Sequence, residues 1–184
     1  LDIMRTMEWN LCVLPPVSAS ILFLMPELGA LSTYTIVRSK NIRRWWLMRL
    51  AAVVVINYVF FLFALVLLSL ISGAELLLAE WSTAAVLFPL HTTLLSSLCA
   101  GGMILFTSRA TIIFYLLVEC GLLAVGMAYP PVSLFLPPYW GMAQAMGDRF
   151  SSAVAVSVFL LIVLNLGIIY WLSRHNPAAN PQSK

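Results

Sequence analysis

The sequence predicts an all-α integral membrane protein that crosses the bilayer several times. Of its 184 residues, 62% are hydrophobic and 9% are charged, and the mean hydropathy is +0.99. A soluble domain has roughly 25% charged residues, so this composition excludes an ordinary soluble fold. The apolar runs are long and lack the alternation of period two that strands of a membrane barrel require. The polar stretches are too short to fold as a separate catalytic domain.

Five apolar runs are long enough to cross a hydrocarbon core, which takes about 20 residues in a helix. We therefore predict a single transmembrane domain with these spans: 11–37, 50–71, 82–106, 110–128 and 151–172. The chain begins with Leu at a polar end that would be exported without a signal peptide. This start leads us to expect one further span ahead of it, which would make six in the full chain.

Basic residues set the predicted orientation. Five of the ten Lys and Arg residues lie in segment 38–49, which contains no acidic residue, and Arg109 lies in a tight turn between two predicted spans. Loops rich in Lys and Arg remain on the cytoplasmic side. We expect a multi-pass protein of the plasma (cytoplasmic) membrane of a bacterium, with a cytoplasmic C-terminus and a disordered tail at 173–184.

Segment 129–150 is apolar, but proline pairs prevent it from forming one continuous span. We predict short half-helices at the outer surface, with Tyr and Trp at the membrane interface. If the chain is a transporter, we expect these half-helices to form its outer gate, with Pro130, Pro131, Pro137, Pro138, Tyr139 and Trp140 as the candidate residues.

Several function classes are unsupported. The net charge of +3 is small and localised, which argues against nucleic-acid binding. Cys12, Cys99 and Cys120 lie in or beside apolar runs without CxxC spacing, so we expect no metal and no disulfide. No hydrolytic triad, HExxH pattern or glycine-rich phosphate loop is present, so we expect no catalytic residue.

Two charged or titratable residues fall near the predicted mid-depth of consecutive spans. Counting about 1.5 Å per residue places His91 and Glu119 at similar depths on antiparallel helices, where an ion pair or hydrogen bond could form. Polar contacts between membrane helices commonly serve packing alone. The alternative is that this pair lines or gates a transport pathway, because intramembrane carboxylates normally face a cavity or a partner.

Glu27 lies towards the cytoplasmic side of the first span, and we predict Asn57 of the second span as its neighbour. A packing or vestibule role is favoured over a proton relay. A proton-driven carrier would be expected to use a chain of intramembrane acids, and only Glu27 and Glu119 lie well inside predicted spans.

The order of these elements resembles the membrane permease of an ABC transporter of the type-2 exporter class. The local similarity is strongest in YTIVRSKNIRRWWLMRL, from Tyr34 to Leu50, and it continues in segment 129–150. The resemblance implies a permease dimer, of two identical or related chains, whose basic cytoplasmic segment couples to an ABC ATPase subunit. The coupling residues would be Arg38, Lys40, Arg43, Arg44, Trp45 and Trp46, with Arg109 as a second contact.

The resemblance also implies that ATP and Mg²⁺ bind the partner ATPase, so that this chain holds no cofactor and is not an enzyme. The apolar spans suggest an amphipathic or apolar cargo, such as a peptide, a lipid-like molecule or a drug.

Three alternatives remain open from the residues alone. Segment 38–49 has a simpler interpretation as an anchor that pairs with anionic membrane lipid. A substrate-binding subunit of a vitamin-type uptake transporter would instead dock through small residues such as Ser97 and Gly101. A structural subunit of a membrane complex would use the outer segment as a docking surface.

Overall fold

The computed structural model describes residues 3–28, 41–72, 78–105, 108–129, 131 and 150–174. Apart from Asn41 and Tyr129, every residue in these ranges is helical, and none is in a strand. The all-α prediction is therefore confirmed for this part of the chain. The helices are α1 (Ile3–Leu28), α2 (Ile42–Ser72), α3 (Leu78–Leu105), α4 (Ser108–Ala128) and α5 (Phe150–Arg174).

Three helices are long and apolar enough to cross a membrane. The qualifying stretches are Ile42–Leu67 in α2, Ala84–Leu105 in α3 and Ser151–Arg174 in α5. The apolar stretches Cys12–Pro26 of α1 and Ala110–Gly126 of α4 are shorter. The described residues thus provide three candidate membrane-spanning helices, while the count of five spans stays a prediction.

The start of α2 differs from the boundary predicted at residue 50. The helix begins at Ile42, after Asn41, whose side-chain Oδ1 accepts a hydrogen bond from the Arg44 N–H at 3.1 Å. The Asn41 carbonyl accepts from the Trp45 N–H at 3.0 Å. Asn is a strong N-cap residue, and no Pro or Gly interrupts residues 42–72. The basic residues from Arg43 to Arg49 therefore belong to the same continuous helix as the apolar span.

Helix α1 begins earlier than the predicted span 11–37, and its described part ends at Leu28. It runs from Ile3 to Leu28, and residues 29–37 lie outside the described part of the chain. Its buried face is a stripe of residues spaced by four and three, which is the period of a helix packed on one side. The stripe consists of Val13, Val17, Ile21 and Leu24.

Helix α3 lies at the centre of the fold. It packs against α1, α2, α4 and α5, whereas the main packing of α4 among the described residues is against α3. Every residue from 91 to 97 in α3 is buried. Gly102 permits a close approach to α4, because an added Cβ would lie 2.7 Å from Thr111 Cγ2. The centre of the bundle is thus a helix enclosed on several sides.

Candidate functional site

Two exposed arginines occupy the first turn of α2. Arg43 and Arg44 are exposed, and no acidic residue lies in the same turn. A helix N-terminus carries a partial positive charge, so each nearby cation costs the helix about 0.3–1 kcal/mol at low ionic strength. Helix stability therefore does not explain the presence of Arg43 and Arg44 in the first turn of α2. Their positions fit an interaction with negative charge outside the chain.

The aromatic side chains in the same turns point into the fold. Trp46 is 1% exposed and Trp45 is half-buried, with their ring centroids 6.2 Å apart and their planes tilted by 41°. The Arg49 guanidinium lies 5.6 Å from the Phe23 ring of α1 and 5.9 Å from the Trp45 ring. Both distances suit cation–π attraction. The start of α2 thus presents two arginines outward, while a third contacts α1.

Trp46 connects the start of α2 to helices α5 and α3 through buried hydrogen bonds. Its indole Nε1 donates to Asn165 Oδ1 of α5 at 2.8 Å, and Asn165 Nδ2 donates to Ser97 Oγ of α3 at 3.3 Å. The same amide also donates to the Leu161 carbonyl at 2.8 Å. All three side chains are buried. We call Trp46, Asn165 and Ser97 the Asn165 junction.

A second buried amide joins α1, α2 and α3. Asn57 Oδ1 accepts from Ser20 Oγ at 3.4 Å, and Asn57 Nδ2 donates to Thr93 Oγ1 at 3.1 Å. Ser20 and Asn57 are fully buried, and Thr93 is 2% exposed. We call these three residues the Asn57 junction. Glu27 was predicted as the neighbour of Asn57, but its side chain lies outside the described part, and the hydrogen bonds of Asn57 go to Ser20 and Thr93.

His91 and Glu119 meet in the interior, as their depths predicted. His91 Nε2 lies 3.4 Å from Glu119 Oε1, and the two residues are 2% and 3% exposed. Since α3 and α4 are neighbours, this contact links the central helix to the helix packed mainly against it. Its role in a pathway stays a prediction. Within the described residues, no group of three or more His, Cys, Asp or Glu side chains could hold a metal ion.

Several predicted residues cannot be placed. The following lie outside the described residues: Arg38, Lys40, Pro130, Pro137, Pro138, Tyr139 and Trp140. Glu27 and Arg109 lie in helices α1 and α4, but their side chains are not described. Pro131 is described and exposed. The predicted outer gate is therefore untested, and so is the tail from residue 175 onward. Ser173 and Arg174 were predicted as part of the disordered tail, but they are the last residues of helix α5.

Of the two small residues on which the uptake-subunit alternative depends, Ser97 is buried and Gly101 is half-buried. Ser97 is 2% exposed and accepts the hydrogen bond from Asn165. A Cβ added at Gly101 would lie 3.7 Å from Ile168 of α5, in ordinary contact. Ser97 and Gly101 therefore both lie next to α5, and the uptake-subunit alternative stays a prediction.

Sequence reasoning missed Asn165. The residue stands alone in the apolar run of α5, just as Asn57 stands in α2, so the same signal of an isolated amide was present. Compared with known proteins, the chain matches no protein-family model, no curated protein and no solved structure.

Proposed function

We propose that the chain is the membrane permease subunit of an ATP-driven ABC exporter, with an ATPase subunit docked at the start of α2. The observation that supports this most directly is the pair Arg43 and Arg44, exposed in the first turn of a continuous helix whose Trp46 is buried one turn later. A docking segment needs both features. The charged side chains must reach the partner, and the same helix must be held by the core.

The surface of α2 supports a membrane location. Val59, Leu62 and Phe63 are 58%, 57% and 60% exposed, in the middle of an apolar stretch that is long enough to span. A row of large exposed apolar side chains is unfavourable in water and favourable in hydrocarbon. In the proposal all five helices cross the bilayer, with the arginines at the cytoplasmic surface.

The chemistry of the arginines suits a carboxylate-bearing groove on a soluble partner. A guanidinium is always charged and can form two parallel hydrogen bonds with one carboxylate. ATP and Mg²⁺ would bind the partner, and closure of two ATPase subunits would displace the start of α2. The resemblance of Tyr34 to Leu50 to type-2 exporter permeases supports the same assignment.

The interior of the fold supports an amphipathic or apolar cargo. Among the described residues, buried polar side chains form hydrogen bonds with one another, as in both amide junctions and in His91–Glu119, or with carbonyls of their own helix, as Thr92 and Ser96 do. Few of these described polar groups remain to recognise a hydrophilic solute, and specificity for such a solute needs several. A second permease chain, identical or related, would complete the pathway, and segment 129–150 would form its outer gate.

The test is purification of the tagged chain from native membranes in mild detergent, with partners identified by mass spectrometry and ATP hydrolysis measured in the eluate. We expect a stoichiometric Walker-type ATPase with the unchanged chain. Replacing both arginines in the variant Arg43→Gln/Arg44→Gln removes two charge-assisted contacts, each worth roughly 1.5–3 kcal/mol, and should release the ATPase.

A matched control is Arg174→Gln, which removes an exposed arginine from the last turn of α5. It should retain the ATPase. Equal loss in both variants would indicate a general charge effect, and recovery of the unchanged chain without any ATPase would overturn the proposal. Normal ATPase binding together with inverted orientation of Arg43→Gln/Arg44→Gln, measured by protease protection, would assign these arginines to lipid anchoring instead.

A further inference from the structure

The Asn165 junction is a hydrogen-bonded connection between the start of α2 and the central helix α3. Trp46 lies in the turn after Arg43, on the same helix. Its indole reaches Asn165 of α5 at 2.8 Å, and Asn165 reaches Ser97 of α3 at 3.3 Å. One amide therefore contacts side chains from both of the other helices.

The chemistry of the three groups fixes the orientation of this amide. A tryptophan N–H can only donate, so it requires the carbonyl oxygen of Asn165. The NH₂ group then points away from Trp46, where it meets the Leu161 carbonyl and the Ser97 hydroxyl. A displacement of Trp46 cannot be absorbed by rotating the amide, because the reversed amide would place two donors together.

The Asn57 junction provides a comparison within the same fold. It also joins three helices through one buried amide, and it contacts Ser20 and Thr93. Asn57 lies four turns further along α2 than Arg43, in the middle of the apolar stretch. It therefore supports the bundle without contacting the turns that bear the exposed arginines.

We propose that Asn165 is a positioning residue that transmits displacement of the start of α2 to α5 and α3. This inference rests on the proposed function, since it assumes that an ATPase moves the exposed arginines. The side chain acts through Trp46 on one side and Ser97 on the other, and it contacts neither nucleotide nor cargo. Coupling between distant sites can be carried by hydrogen-bond networks between rigid elements, and this junction supplies such a network.

The experiment uses the full chain purified with its ATPase, in a background without reactive cysteines. An environment-sensitive fluorophore is attached either at Met48→Cys on α2 or at Leu105→Cys at the end of α3, both of which are exposed positions. The first label reports the element that the ATPase moves, and the second reports arrival of the movement at the central helix. The probe is MgATP with orthovanadate.

When the Asn165 junction is unchanged, the fluorescence of both labels should change on addition of MgATP with orthovanadate. In Asn165→Leu the Met48 label should still respond and ATP should still be hydrolysed, while the Leu105 response falls to about a third or less. The matched control Asn57→Leu removes a buried amide of the same type and should retain both responses. Should Asn165→Leu fail to fold, Trp46→Phe keeps an aromatic ring and removes only the donor, and it should give the same pattern.

Each other outcome has one meaning. An unchanged Leu105 response in both Asn165→Leu and Trp46→Phe overturns the inference, and so does an equal loss in Asn57→Leu, which would indicate general loosening of the core. If the unchanged chain binds no ATPase and its Met48 label does not respond, the proposed function fails, and the inference fails with it. These failures are distinguishable, because the last one is seen before any variant is compared.

Discussion

Helices α3 and α2 are of similar length, 28 and 31 residues, but they distribute polar side chains in opposite ways. In the most apolar stretch of α3, 67% of the residues are buried, compared with 17% in α2. The buried run of α3 includes His91, Thr93 and Ser97, whereas the exposed face of α2 includes Val59 and Phe63. Polar side chains lie where helices meet, and apolar ones face outward.

This difference shows that apolar content alone does not identify the helix that organises the bundle. Helix α3 is the least apolar of the three candidate spans and contacts the most neighbours. Three polar side chains in its buried run contact three different helices: His91 contacts α4, Thr93 contacts α2 and Ser97 contacts α5. At 3.6 residues per turn, residues 93 and 97 lie on one face about one turn apart, whereas residue 91 points to another side of the helix. Helix α2 exposes apolar side chains such as Val59 and Phe63, and its buried Asn57 forms hydrogen bonds with α1 and α3.

The contrast between the exposed α2 and the enclosed α3 is tested most directly by placing a charge on the exposed face of α2. Val59→Lys should cost about 2.5–3.5 kcal/mol of insertion free energy if this face contacts hydrocarbon near the middle of a span. The measurement is the inserted fraction in a membrane-insertion assay. Met48→Lys, at a position that is also exposed but lies one to two turns into α2, is the control and should insert normally. Equal insertion of both variants would show that this face is not lipid-facing.

A second substitution tests how closely the enclosed helix is packed. Gly102→Ala would place a Cβ 2.7 Å from Thr111 Cγ2, which is a branched and stiff side chain, so α3 and α4 must separate slightly. The expected loss of stability is about 1–3 kcal/mol, measured by thermal unfolding in detergent.

Two other helical glycines, Gly101 and Gly121, serve as controls for that change. A Cβ at Gly101 would meet Ile168 at an ordinary 3.7 Å, and a Cβ at Gly121 would meet nothing within 4 Å. Both Ala variants should unfold close to the original temperature. A destabilisation at Gly101 or Gly121 as large as that at Gly102 would contradict the close approach of α3 and α4.

The smallest expected effect on stability comes from comparing two buried threonines of α3, Thr93 and Thr92. Thr93→Val removes the acceptor for Asn57 Nδ2 and should cost about 1 kcal/mol, which is typical of a hydrogen bond between membrane helices. Thr92 is equally buried, but its hydroxyl donates to the Phe88 and Pro89 carbonyls of its own helix.

Thr92→Val is therefore the matched change, and it should cost less than Thr93→Val in the same unfolding measurement. If Thr92→Val lowered the free energy of unfolding as much or more, the hydrogen bond between helices would contribute no more to stability than a bond within α3.

The sequence predicted the parts of the fold that depend on composition and depth. Long apolar runs gave the helices, and counting residues along two spans placed His91 beside Glu119, because depth alone decides whether residues on adjacent antiparallel helices can meet. The contact at 3.4 Å agrees with that count. The start of α2 was less predictable, because basic residues indicate a membrane surface and do not show that the helix continues through them.

The junctions were not predicted, because they depend on rotation about each helix axis as well as on depth. Asn165 and Ser97 lie nine and eight residues from the ends of their helices, so counting could have placed both about 12–14 Å from those ends. Counting could not show that the Asn165 side chain faces both Trp46 and Ser97. For Asn57, the same lack of rotational information is why Ser20 and Thr93 were not predicted as its partners.

The uninterrupted length of α2 has a mechanical consequence. Its 31 residues make a rod of about 46 Å, longer than the roughly 30 Å hydrocarbon core of a bilayer. A stiff rod that pivots near one end converts a small rotation into a large translation at the other, and a tilt of about 10° would shift the far end by about 8 Å. With the pivot near Arg43, a rotation of a few degrees at that end would become a displacement of several ångströms at the other end of α2.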